Sequence, residues 1–189
     1  MKRTFLILSL NVFIVSKAQQ ILPLSTVTTD VIAPNTYIKD IDNLLPAFEG
    51  TWKATWDNKT FIINFKKVKY YDTFSKNNPY YQDLLLGRFQ VKDINGKILF
   101  DDLSSKKNTE KIMGMKIYPS GKYQLLYSDP DLCNKLGTIM IGFHNLTKTE
   151  MNLKYTDSKQ PVDSSCFYYG LNEDRQPQPF PKEIVLTKQ

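Results

Sequence analysis

From Gly50 onward the chain alternates between apolar and polar positions. Lys53 and Thr55 separate Trp52, Ala54 and Trp56, and Ile62 and Asn64 separate Phe61, Ile63 and Phe65. A period of two puts successive side chains on opposite faces of an extended strand, so each run presents one apolar face. Asp57-Asn58 between them suits a two-residue turn, and in that register Ala54 opposes Phe61 and Trp52 opposes Ile63. After Phe65 the apolar phase moves to Val68 and Tyr70, which predicts a bulge near Lys66 or Lys67.

Asn95-Gly96 is the strongest short hairpin signal in the chain, with both residues expected at positive φ. It predicts Val91 opposite Phe100 and Asp93 opposite Ile98, with Phe89, Val91, Ile98 and Phe100 on one face. Four more alternating sets follow: Met113, Met115 and Ile117; Tyr123, Leu125 and Tyr127; Ile139, Ile141 and Phe143; Met151, Leu153 and Tyr155. A short strand over 166–169 and a last one over 183–187 bring the total to about nine or ten. They recur at hairpin spacing without a long helix, so the fold class is all-β, an antiparallel up-and-down barrel-like meander.

The N-terminus reads differently. Lys2 and Arg3 precede an apolar run over residues 5–15, and Ser16-Lys17-Ala18 then offers a small-x-small cleavage site before Gln19. The run is too short for the roughly 30 Å of hydrocarbon that takes about 20 apolar residues to span. We read residues 1–18 as a signal peptide cut between Ala18 and Gln19. Residues 19–45 read as an extended leader with a helical turn over 38–45, and 46–189 as one β domain. Without a cysteine near the cut there is no thiol for a lipid, so the expectation is a secreted or periplasmic protein with no stable membrane anchor, not a lipoprotein.

Removing the signal changes the charge picture. Three of the 25 basic residues leave with it, so 22 face 19 acidic ones and the net charge falls from +6 to +3. That balance excludes a dedicated nucleic-acid binder, which needs a strongly basic face. Eleven Tyr, eleven Phe and two Trp match strand composition. Export also gives Cys133 and Cys166, the only cysteines, an oxidising compartment in which an even pair favours a disulfide.

Candidate chemistry is sparse. The single histidine, His144, falls one residue out of phase with Ile139, Ile141 and Phe143 and is expected to point away from the core. No nucleophile elbow, phosphate-cradling glycine loop or zinc ligand set accompanies it, so no cofactor is expected and a non-enzymatic protein is favoured. Asp101-Asp102 and Asp129-x-Asp131 read as turn and edge carboxylates. Two binding surfaces stand out. Trp52, Trp56, Phe61, Ile63, Phe89 and Val91 are candidates to line an interior for a small apolar ligand, or simply to fill it. Tyr70, Tyr71, Tyr80 and Tyr81, interleaved with Lys69, Lys76 and Asn77, are candidates to meet a surface glycan or protein.

Several segments together resemble a family of exported proteins from flavobacteria and their relatives, catalogued as a domain of unknown function. They are Leu45-Pro46-Ala47-Phe48-Glu49-Gly50-Thr51-Trp52, Asp83-Leu84-Leu85-Leu86-Gly87-Arg88-Phe89 and the closing Glu183-Ile184-Val185-Leu186-Thr187-Lys188. The resemblance implies a diderm bacterial setting and carries no activity. A looser similarity links Gly50-Thr51-Trp52 to lipocalin-like barrels, whose first strand opens with Gly-x-Trp after a short helical turn. Those barrels pack a basic residue over the Trp. Here Arg175 falls in a loop and Lys188 at the extreme end, so neither is assigned that place.

Overall fold

The computed structural model describes residues 19–26, 32–74, 76–104 and 110–189. The expected signal peptide and the Ala18 side of its cleavage junction lie outside the described residues. The strands are β1 (Ile21–Pro23), β2 (Tyr37–Lys39), β3 (Gly50–Trp56), β4 (Lys59–Asp72), β5 (Tyr80–Lys92), β6 (Ile98–Asp101), β7 (Ile112–Ile117), β8 (Tyr123–Asp129), β9 (Lys135–Phe143), β10 (Glu150–Asp157) and β11 (Glu183–Lys188). Among the described residues the only helical segments are 3₁₀ turns of three residues.

Eight strands close on themselves. β3, β4 and β5 pair in order, β7 pairs with β5, β8 to β11 follow in order, and β11 returns to β3 through Thr187↔Lys53 and Lys188↔Trp52. All eight neighbouring pairs are antiparallel. Closure removes the exposed edges that an open sheet would carry. β6 pairs with β5 beside the ring, and β2 docks parallel to β5 with β1 outside it.

The first hairpin forms as its pattern predicts: Ala54 opposes Phe61, Trp52 opposes Ile63, and Asp57 and Asn58 both take left-handed φ, at 48° and 58°. The second turns at the predicted place by a different geometry. Gly96 alone takes positive φ (81°), Asp93 N–H bonds to Lys97 O at 2.9 Å, and Asp93 Oδ1 accepts from both Asn95 N and Lys97 N. This three-residue loop leaves one residue over. A register shift between Val91 and Lys92 absorbs it, so Val91 opposes Phe100 but Lys92, not Asp93, opposes Ile98. Ile98 is therefore turned out to solvent instead of joining Phe89 and Val91.

The bulge expected at Lys66 or Lys67 is absent, because β4 and β5 pair without interruption from Thr60↔Lys92 to Asp72↔Tyr80. The inner face itself changes character beyond the barrel floor. Lys67 follows Phe65 inward, and its Nζ lies 2.9 Å from Asp40 Oδ2 and 3.7 Å from Asp83 Oδ2. Both aspartates are buried, and their carboxylate oxygens also accept the backbone N–H groups of Asp40, Leu44 and Leu45 and the Tyr37 hydroxyl. A buried charge survives only when so paired.

Three other expectations are corrected. The helical turn expected over 38–45 is displaced to its far end: Ile38 lies in β2, and the 3₁₀ turn is Leu45–Ala47. Residues 166–169 form turns, not a strand. In β7 a shift between Gly114 and Lys116 turns Met115 outward, and Ile112, Gly114 and Ile117 are the buried set. The other three sets face inward, with Tyr123, Leu125, Tyr127, Ile139, Ile141, Met151 and Leu153 fully buried.

The barrel is filled from end to end. At the floor, Phe48 stacks on Phe143 with ring centroids 4.4 Å apart, and Trp52 Nε1 donates to Phe48 O at 2.8 Å. Lys188 Nζ lies 5.2 Å from the centroid of the Trp52 ring and donates to Ala47 O at 3.2 Å. Lys188 thus reaches the tryptophan after all. Toward the opposite end Phe180, carried on the buried segment Pro179-Phe180-Pro181, inserts among Phe61, Phe89, Tyr127 and Tyr155 at centroid distances of 4.6 to 5.6 Å.

Candidate functional site

The end of the barrel away from that floor collects the turn 57–58, the β5–β6 hairpin, the β8–β9 connection and the long segment 158–182. Pro130 cannot continue β8, and Asp129 caps the 3₁₀ turn Pro130–Leu132 by accepting Asp131 N at 3.0 Å. Cys133 follows with φ 54° and bonds to Cys166, with their Cα atoms 5.7 Å apart. The expected disulfide is therefore present. It ties the segment 158–182 to the β8–β9 connection, and Tyr168 reinforces the tie by donating its hydroxyl to Leu132 O at 2.9 Å.

Under this tie lies a cavity of about 520 Å³. Its apolar wall includes Leu99, Phe100, Leu132, Phe167, Leu171 and Pro177, and Phe89 touches it from the core side. Three of these side chains are open to solvent, Phe167 at 69%, Leu171 at 42% and Leu99 at 40%. Exposed apolar groups converging on one concavity are the usual mark of a binding surface.

The polar part of the lining is Asp101, Lys111, Asp129, Asp131 and Arg175. Lys111 Nζ lies 2.6 Å from Asp129 Oδ1 and 2.8 Å from Asp131 Oδ2. Burial works to lower the Lys111 pKa, but these two carboxylates outweigh it and hold the ammonium above the ordinary lysine value. Tyr127 donates to Asp129 Oδ2 at 2.6 Å, and burial with the adjacent carboxylate pushes its phenol far up. Asp101 accepts the amide and hydroxyl of Ser104; these and other hydrogen bonds hold it below the usual carboxylate range despite burial. Behind it Asp102 is buried with Oδ2 lacking a hydrogen-bond partner, and burial raises its pKa.

The sequence candidates fall in three places. Trp52, Phe61, Ile63, Phe89 and Val91 are packed core, and Trp56 is half-buried with Lys59 Nζ 4.8 Å from its ring centroid. Tyr71 and Tyr81 face each other across β4 and β5 at 4.8 Å, while Lys69 Nζ lies 4.4 Å from the Tyr81 ring and 4.3 Å from that of Tyr37. Tyr70 and Tyr80 sit one residue out of phase, on the other side of the ribbon, so the four do not share a platform. Tyr80 packs toward the core, and burial together with Asp72 pushes it to about 12. His144 is exposed at the floor end, remote from the cavity.

Of the residues that line the cavity, Phe89 alone was among the ligand-lining candidates read from the sequence. Leu132 and Phe167 each adjoin a bridged cysteine, and that adjacency is the signal that could have placed them together.

Comparison with known proteins adds the family. The sequence model of a family of unknown function, DUF6705, matches residues 1–189. The chain belongs to that family. No curated protein and no solved structure matches it. Within the DUF6705 chain, no group of three or more His, Cys, Asp and Glu side chains among the described residues is placed to hold a metal ion. No helix among them is long and apolar enough to cross a membrane.

Proposed function

We propose that this is an exported, non-enzymatic binding protein that takes a small apolar ligand at the mouth of a lipocalin-like barrel, in the diderm bacterial setting its sequence implies. The carrying observation is the concavity of about 520 Å³ beneath the disulfide, with Leu99, Phe167 and Leu171 left partly in water around it. A volume in this range suits a small organic molecule. The interior is the poorer seat, since Phe180 and the four rings around it occupy it. The Lys188 and Trp52 contact supports the lipocalin-like description, and the absence of a partnered histidine near the cavity favours binding over catalysis.

The test is titration with the neutral fluorescent probe N-phenyl-1-naphthylamine. Wild type binds it with saturation, Leu99→Ser with Phe167→Ser loses about tenfold or more in affinity, and Tyr71→Ala with Tyr81→Ala does not change it. Undiminished binding by the mouth variant, or no binding by wild type, contradicts the proposal. The replaced mouth side chains are partly exposed, so the variant retains its fold.

A further inference from the structure

The charges around the mouth are unequal in one respect. Lys111 is held by Asp129 and Asp131, and Asp129 also by Tyr127. Asp101 has its oxygens engaged by Ser104. Arg175 is different. It lies at the end of the 3₁₀ turn Glu173–Arg175, its backbone N–H bonds to Asn172 O at 2.9 Å, and its side chain is exposed while lining the cavity. Its guanidinium makes no hydrogen bond or ion pair among the described residues. The neighbouring Glu173 is taken by Lys159, at 3.2 Å.

We infer that the ligand is an amphiphile with an anionic head, carboxylate or phosphate, received by Arg175 while its apolar body lies along Leu99, Phe100, Leu132, Phe167 and Leu171. This rests on the reading of the mouth as an apolar seat. Guanidinium is the side chain suited to such a head, because its planar fork donates two parallel N–H bonds to two oxygens and is always charged. A charge-assisted hydrogen bond is stronger than a neutral one, so the head should add about tenfold in affinity over an uncharged isostere. The other lining cation already has its carboxylates and cannot compete for it without breaking them.

The experiment displaces N-phenyl-1-naphthylamine with four ten-carbon compounds: decanoate, decyl phosphate, decanol and decyltrimethylammonium. Wild type should prefer decanoate or decyl phosphate to decanol by about tenfold, with the ammonium weakest, and the better of the two acids names the head. Arg175→Gln should bring the acids down to the decanol level, a loss that decanol itself does not share; Arg175→Lys should keep part of the preference. Equal competition by acid and alcohol, tightest competition by the ammonium, no competition by any of the four, or an Arg175→Gln loss shared by decanol overturns the inference. The mouth reading itself falls only if the neutral probe fails to bind wild type or binds the Leu99→Ser, Phe167→Ser variant undiminished.

Discussion

Lys188 closes the barrel over Trp52. Its ammonium lies 5.2 Å from the indole centroid and donates to Ala47 O, so the last strand, the first barrel strand and the turn before it are joined by one side chain. A partly buried cation over an indole contributes on the order of 1 kcal/mol and a hydrogen bond about as much. Lys188→Met, which keeps the stem and removes the charge, should therefore cost about 1–2 kcal/mol in urea unfolding followed by tryptophan fluorescence. A variant as stable as wild type would show that pairing of β11 with β3 needs no such latch.

Phe180 fills the barrel from outside the sheet. Replacing it with Ala leaves a cavity among Phe61, Phe89, Tyr127 and Tyr155 and should cost about 3–5 kcal/mol. Phe180→Leu, which retains most of the volume, should cost far less. Differential unfolding of the two variants checks this, and equal small losses would mean that the 158–182 segment does not pack as a plug.

The disulfide encloses 33 residues of sequence separation, for which chain entropy suggests about 3–4 kcal/mol. Cys133→Ala with Cys166→Ala should lower stability by up to that amount and weaken N-phenyl-1-naphthylamine binding, because Leu132 and Phe167 lose their common anchor. Lost stability with untouched probe binding would separate the bridge from the mouth.

Alkaline pH should unfold the protein in a defined window. Burial and nearby carboxylates push Tyr37 and Tyr80 up to about 12, and Tyr123 and Tyr127 rise further, chiefly through burial. The phenols of the unfolded chain ionise near pH 10. Folded values above unfolded ones mean that their contribution is complete below about pH 10 and is lost as pH climbs through 12. Lys111, raised in the fold, acts with the same sign. Absorbance at 295 nm should show the buried phenols ionising only as circular dichroism is lost, whereas full ionisation near pH 10 with the fold intact would contradict this burial.

The closed barrel was legible where strand alternation and turn chemistry act locally, as in Asp57-Asn58, Tyr123 to Tyr127 and Ile139 to Phe143. It failed where distant groups change what a position tolerates. Lys67 reads as polar and hence outward, yet it points inward because Asp40 and Asp83, remote in sequence, supply its partners. Gly114 and Gly137 look incidental, but a Cβ on the first would lie 2.1 Å from the Tyr123 hydroxyl and on the second 2.2 Å from the Tyr155 ring, so small residues on the inner face are part of the packing. Arg175 looked like loop, and only the bridge between Cys133 and Cys166 makes that loop a wall of the mouth.

The central claim is where a ligand sits. Methyl ¹H–¹³C spectra recorded during a decanoate titration address it directly. Resonances of Leu99, Leu132 and Leu171 should shift progressively to saturation, and those of Ile63, Ile139 and Leu153, deep among the core rings, should stay in place. Shifts centred on Ile63, Ile139 and Leu153 with the mouth unmoved would contradict the account and put the ligand inside the barrel.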